Sequence, residues 1–407
     1  MRGKRTDGGD REDYSMAQDI FIVAARRTPN GSFLGSLSPL SAAELGAFAI
    51  QAALSEAGIT LGAIEEVLMG CVLPAGLGQA PARQAALKAG IPQSVPCTTV
   101  NKMCGSGMKT VMLAYDLIKA GSAEIVLAGG MESMSNAPYL LAQARAGMRM
   151  GHQQVLDHML YDGLQDPESG ELMGYFAELC AEKYGFTREQ QDHYAAESVR
   201  RSIAAMESAA FGAEIIPVEL AAKGKTLRVN EDEQPRKCDP ARIGHMRPAF
   251  KEGGTVTAAN ASSISDGAAA LLLMSAQAVA EHGLTPIARL LGHAAHARAP
   301  AEFTVAPIDA IRRLQQRLGW ATNDVDLYEI NEAFAVVAMA ALRDLGLEHA
   351  KVNVNGGACA LGHPIGASGA RIIVTLVHAL KQRGSRRGIA ALCIGGGEAT
   401  AVGVEVV

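Results

Sequence analysis

Short apolar runs of strand type alternate with stretches of helical periodicity along most of this chain, and they do so twice, on either side of a segment of different texture. Residues 19–25, 66–73, 97–100 and 124–128 read as strands, and residues 41–58, 80–89 and 106–119 between them read as helices. The first helix opens on the capping box Ser41-x-x-Glu44. After residue 285 the alternation returns, with helices expected over 308–318, 332–345 and 368–383 and strands over 326–330, 351–354 and 389–394. Repeated strand–helix order predicts an α/β fold with a mostly parallel sheet.

The two stretches also match each other. Ser106-Gly107-x-Lys109, with Lys119 ten positions after Lys109, has its counterpart in Ser368-Gly369-x-Arg371, with Lys381 ten positions after Arg371. Each helix leads into an apolar strand that ends in glycines, Gly129-Gly130 in one case and Gly395-Gly396 in the other. Two structural repeats related by a pseudo-twofold axis are the expectation. Between them, residues 135–262 are richer in Met, Arg, Gln and Asp and carry a helical pattern over 188–210, which reads as an inserted domain.

At 407 residues the chain is long enough for two or three units around a large core. Aromatics are only 4% of it while 44 residues are glycine, a composition suited to close-packed α/β layers with tight turns. A net charge of −5 provides no global field to draw in nucleic acid, so any anionic ligand must be held by local groups. Seven cysteines, an odd number without a CxxC pair, do not form a disulfide framework or a zinc ribbon, and a reducing cytoplasm fits them best. The longest apolar region, residues 267–280, falls short of the ~20 residues of a membrane span. Residues 1–16 lack the apolar run of a secretory signal and read as a disordered leader.

Four segments carry residues suited to chemistry. Asn101-Lys102-Met103-Cys104-Gly105-Ser106-Gly107 places a cysteine between a strand and a helix start, where unpaired N–H groups and the helix dipole favour a thiolate. A small buried hydrophobe is the alternative for Cys104. Asn353 to Gly366 sets His363 between glycines in a strand-to-helix loop, where it can act as a base or donate to an oxyanion. Cys359 and His363 together offer only two metal ligands with no visible third, so no metal is expected. Cys393-Ile394-Gly395-Gly396-Gly397 ends a strand in flexible N–H donors, as an oxyanion cradle or as an ordinary turn, and Asn331 of Asn331-Glu332-Ala333-Phe334 is either a site residue or a helix cap.

Taken in this order, the four segments resemble the thiolase family, and the resemblance runs from Ile20 to Val407. Residues 24–29, 70–92, 129–135 and 255–269 resemble it as well. The resemblance implies two pseudo-symmetric βαβαβαββ halves in αβαβα layers with an inserted loop domain. The halves would be residues 17–134, with 263–285 returning to that sheet, and 286–407; the loop domain would be 135–262. The activity implied is that of an acyl-CoA:acetyl-CoA C-acyltransferase, acting on acetyl-CoA, 3-ketoacyl-CoA and free CoA without a cofactor.

The same resemblance implies roles. Cys104 is the acylated nucleophile with a depressed pKa, His363 its base, and Cys393 the acid/base at the α-carbon of acetyl-CoA. Asn331 holds a water that serves one oxyanion with His363, and the Cys104 and Gly395 N–H groups serve the other. Met173, Phe250, Ala259, Ser262, Phe303 and Phe334 are implied as CoA or acyl contacts, and residues 145–152 as the loop of a homotetramer. Three departures stand out: Leu172 where many acetoacetyl-CoA thiolases have histidine, Phe303 to Ala306 where methionine and glycines are common, and Glu398-Ala399 after the glycines. The rivals are a 3-ketoacyl synthase of the same fold, which uses paired histidines or His and Asn where this chain has Cys393, and a non-catalytic acyl-CoA or lipid carrier.

Overall fold

A computed structural model of the protein describes residues 19–222 and 225–407, so the expected leader lies outside the described residues. The N-terminal alternation forms β1 (Ile20–Arg27), α1 (Ala42–Ala57), β2 (Glu66–Gly70), α2 (Pro81–Lys88), β3 (Cys97–Val100), α3 (Ser106–Lys119) and β4 (Ile125–Ser133). The capping box of α1 is made on both sides: Ser41 accepts from the Glu44 N–H and Glu44 accepts from the Ser41 N–H. Between β4 and the next long strand lie α4 (Met173–Tyr184) and α5 (Arg188–Glu207), with two short hairpins. The chain then runs through β5 (Ser265–Ser275), β6 (Ala288–Ala297), α6 (Ala306–Leu318), β7 (Leu327–Ile330), α7 (Ala335–Leu345), α8 (Ile365–Arg383), β8 (Arg387–Ile394) and β9 (Glu398–Val406).

These strands join one sheet in the order β7-β8-β9-β6-β1-β5-β4-β2-β3. It is mixed rather than mostly parallel. β2 runs parallel to β3 and β4, and β7 to β8, whereas β1–β5, β5–β4, β8–β9, β9–β6 and the central β1–β6 pair are antiparallel. The reason the sequence misleads is burial: β5 is covered on both faces along its whole length, so it reads as the unbroken apolar run typical of parallel strands.

The repeat expected from the helix motifs is present in the strand order. From the centre outward, one half reads β1, β5, β4, β2, β3, and the other β6, β9, β8, β7 and then Val352, which makes a single parallel bridge to Tyr328. The strand expected over 351–354 is therefore reduced to that bridge, because a short 3₁₀ turn takes His349–Lys351. Helices α3 and α8 cross between the two halves, in a core of Met108, Val111, Ile372, Leu376, Leu271 and Leu392. A Cβ on Gly107 would stand 2.9 Å from the Ala370 nitrogen, and one on Gly369 would run into Met108, so the matched glycines are where the matched helices touch. Helices α1 and α2 cover the outer face of one half, and α4, α6 and α7 the other, giving αβαβα layers. No helix among the described residues is long and apolar enough to cross a membrane.

Candidate active site

The chain leaves β3 in a tight turn that fixes Cys104. Asn101 Oδ1 accepts the Met103 N–H at 3.0 Å, and the Lys102 N–H donates to Ser106 Oγ at 2.9 Å. Met103 pays for this geometry with a left-handed φ of 47°, unusual for a side chain with a Cβ. A Cβ on Gly105 would collide with Ile394, so glycine lets the turn lie directly against the end of β8. Cys104 thus stands at the start of α3, partly open to a cavity. Its thiol is not depressed, contrary to expectation: burial pushes it up to about 11, against the lowering pull of the Gly395 and Cys104 N–H groups. A helix terminus does not outweigh desolvation here.

His363 is held from three sides. Its N–H donates to the Ser263 carbonyl at 3.0 Å, its Nδ1 lies 2.5 Å from Ser368 Oγ, and Ser368 donates its own proton to the Pro364 carbonyl at 2.9 Å. Ser368 must then accept from Nδ1–H, which leaves the lone pair on Nε2. That nitrogen is buried and has no protein partner. Burial, with the Arg371 guanidinium second, lowers the imidazole to about 3, so it is neutral at rest.

Asn331 and Cys393 end adjacent parallel strands, tied by the Asn331 N–H to the Ala391 carbonyl at 3.0 Å. Both side-chain amide atoms of Asn331 are buried without a protein partner, so the helix-cap alternative does not describe it. Cys393 is 1% exposed, and burial followed by the proximity of Cys104 pushes its thiol well above the ordinary range. The following turn needs Gly396 and Gly397, both at φ 91°.

Cys104, His363 and Gly395 share the wall of a cavity of about 400 Å³. Met173, Phe250, Ser262, Phe303 and Phe334 line the same cavity, and Leu172 sits on it too. Phe303 packs edge-on against Phe176 and Phe334. Phe250 covers the first turn of α4, where a Cβ on Gly174 would overlap its ring. Three expected residues are not on this wall: Ala259 is buried with neighbours Ala258 and Ala261 lining in its place, and Asn331 and Cys393 are buried and not among the lining residues. The Ala259 N–H donates to Thr257 Oγ1 in a tight turn. Cys359 and His363 do not converge, since Cys359 Sγ faces the Glu332 carbonyl. No group of three metal-ligating side chains exists among the described residues.

Two carboxylates escaped the sequence reading although both sit inside its motifs. Glu132 is buried and accepts from Val72, Leu73 and Gly366 N–H groups at 3.0, 3.1 and 2.8 Å, joining the loops around Cys104 and His363; burial raises it to about 7. Glu332 accepts from Tyr194, Ser198, Asn353 and the Cys359 N–H at 2.9, 2.7, 2.8 and 3.1 Å. A buried acid in an otherwise apolar strand end is the signal that would have marked them.

The geometry brings together a thiol, a neutral imidazole with a free lone pair, a second thiol and unpaired amide donors, a set suited to acyl transfer through a covalent thioester. The sequence matches the family profiles described as thiolase, N-terminal domain, over residues 20–277 and thiolase, C-terminal domain, over residues 284–406. It is 54% identical over 392 residues to acetyl-CoA acetyltransferase 2 of Arabidopsis thaliana, covering 96% of this chain and 97% of that protein. It is 52% identical over 390 residues to an acetyl-CoA acetyltransferase of Escherichia coli strain K12, covering 95% and 99%. Among solved structures, the Acat5 thiolase from Ascaris suum in complex with coenzyme A superimposes with a TM-score of 0.91 at 44% identity, covering 96% of this chain and 100% of that one. The Bacillus anthracis acetyl-CoA acetyltransferase gives 0.94 at 40% identity, covering 96% and 99%.

Proposed function

The chain belongs to the thiolase family, and from that premise we propose that it is an acetyl-CoA C-acyltransferase, joining two acetyl-CoA molecules or cleaving a 3-ketoacyl-CoA with free CoA. The observation that carries this reading is the shared cavity wall of Cys104, His363 and Gly395, with Cys393 close behind Cys104.

In the first half-reaction His363 Nε2 accepts the Cys104 thiol proton as sulfur attacks the thioester carbonyl. The carbon–sulfur bond to CoA breaks, and the leaving thiolate takes the proton from the imidazolium. The Cys104 and Gly395 N–H groups bear the charge that develops on oxygen. In the second half Cys393, its proton passed to His363, removes a proton from the α-carbon of acetyl-CoA. The carbanion attacks acetyl-Cys104, the carbon–carbon bond forms, and the released Cys104 sulfur recovers the proton from His363. Asn331, whose amide has no protein partner, and His363 serve the thioester oxygen through a bound water. In the reverse direction the protonated Cys393 is the acid that quenches the carbanion, which suits a thiol held well above its ordinary range. Concentrations alone decide which direction runs.

The reading extends to a homotetramer in a reducing compartment such as the cytoplasm. Met148 and Met150 expose apolar side chains on the segment expected to tetramerise, with Tyr139 and Leu141 exposed just before it, and all seven cysteines are free thiols. Residues 135–262 serve as the loop domain that covers CoA, and Met173, Phe250, Ser262 and Phe334 offer an apolar wall for pantetheine. The test is an assay of the purified protein with acetoacetyl-CoA and longer 3-ketoacyl-CoAs, following CoA consumption. CoA-dependent cleavage of acetoacetyl-CoA is expected; no cleavage of any of these thioesters contradicts the proposal.

A further inference from the structure

The two N–H donors proposed for the acyl oxyanion come from turns far apart in sequence, and their separation must be set by something. The Cys104 turn is rigid within itself: Lys102 is bonded through its N–H to Ser106 Oγ and through its carbonyl to the Gly105 N–H at 3.0 Å. The Gly395 turn is anchored where β9 begins, with Glu398 in register with Ile394. Gly105 and Ile394 bring the two turns into van der Waals contact. One ion pair crosses between them. Lys102 Nζ donates to Glu398 Oε2, two residues before the nucleophile and three after Gly395. Among the described residues no other ion pair joins residues 101–106 to residues 394–398, where the Gly395 N–H also bonds to the Cys104 thiol.

Building on the acyltransferase reading, we propose that the Lys102–Glu398 ion pair is a clamp that fixes the spacing of the Cys104 and Gly395 N–H groups, making both side chains positioning residues for acyl transfer. Glu398 was a departure in the sequence, and the clamp gives it a role. Both side chains are partly solvent-exposed, 24% and 40%, so the pair contributes little to folding. Its leverage lies in geometry, because donors of an oxyanion hole act only when placed to within tenths of an ångström, and a misplacement of about 1 Å can cost about a hundredfold in rate. A partial relaxation of the clamp therefore corresponds to about tenfold.

The experiment compares the wild type with Lys102→Met, Glu398→Gln and the charge swap K102E/E398K. Acetylation of the protein by acetyl-CoA is followed by rapid quench, together with the KM for acetyl-CoA and thermal unfolding. Each single variant is expected to acetylate about tenfold more slowly, with KM unchanged and the unfolding temperature within about 2 °C of wild type. The swap should recover most of the lost rate. Wild-type rates in both single variants, or a swap no faster than the slower single variant, would overturn the clamp. Failure of the wild type itself to acetylate would overturn the acyltransferase reading and the clamp with it, and that control is read separately.

Discussion

Ser368 Oγ lies 2.5 Å from His363 Nδ1 and spends its only proton on the Pro364 carbonyl, so the hydroxyl dictates which imidazole nitrogen is the base. Ser368→Ala removes that acceptor and leaves Nδ1–H unsatisfied in a buried site, at a cost of about 1–3 kcal/mol. The ring then shares its tautomers and tilts. Acetylation of Cys104 should slow by about 10- to 100-fold, near the lower end of general-base contributions, while acetyl-CoA binding changes little. Stopped-flow release of CoA measures it, and an unchanged rate would show that Ser368 does not set the tautomer.

The resting site is a neutral thiol beside a neutral imidazole, because burial pushes Cys104 up to about 11 and His363 down to about 3. Thiolate accumulates only as pH rises toward the raised pKa. Alkylation of Cys104 by iodoacetamide should therefore climb by about tenfold per unit between about pH 7 and 9, read by peptide mapping so that other cysteines do not count. A plateau from about pH 6 to 8 would instead reveal a thiolate–imidazolium pair.

Glu132 gives a pH signature in stability. Its folded pKa is raised to about 7 by burial, so the fold prefers the protonated acid. That contribution is complete below the unfolded carboxylate pKa of about 4.3 and is lost as pH rises through about 7. Glu132→Gln abolishes the titration. The margin by which the wild type unfolds above this variant should shrink between about pH 5 and 8, and a margin constant across that window contradicts the assignment.

Phe303 is 3% exposed, lines the cavity and packs against Phe176 and Phe334. Phe303→Ala should shift relative kcat/KM toward longer 3-ketoacyl chains by about tenfold, the scale of one or two methylenes. It also costs about 3 kcal/mol or more of stability, so profiles are compared well below the unfolding temperature. An unchanged chain-length profile would place the acyl chain elsewhere.

Much of this was legible in the sequence, for identifiable reasons. Helix α3 begins and ends where its periodicity does, and Ser41-x-x-Glu44 forms the capping box of α1, because both are local. The matched Ser-Gly motifs foretold the pseudo-twofold crossing at Gly107 and Gly369. Cys104, His363 and Gly395 share one cavity wall, Cys393 lies near Cys104, and Asn331 follows the strand beside it. What failed was set by long-range packing. β5 hides its antiparallel pairing by being buried on both faces, and Val352 keeps only one bridge of an expected strand. The raised Cys104 thiol follows from enclosure by β8 and the cavity wall, which no local pattern reports. Glu132 and the Lys102–Glu398 pair act across folds of the chain, the last over 296 residues.

The central claim is that Cys104 carries the acyl group while Cys393 handles the carbon acid. Its most direct test is brief exposure of wild type and Cys393→Ala to acetyl-CoA, followed by peptide mass mapping and by assays of acetoacetyl-CoA synthesis and thiolysis. One acetyl group on Cys104 is expected in both proteins. Cys393→Ala should lose synthesis and thiolysis together by about 10²- to 10⁴-fold, with thermal unfolding close to wild type. A label on Cys71, Cys97 or Cys359 with Cys104 unmodified, or near-normal thiolysis by Cys393→Ala, would contradict the account.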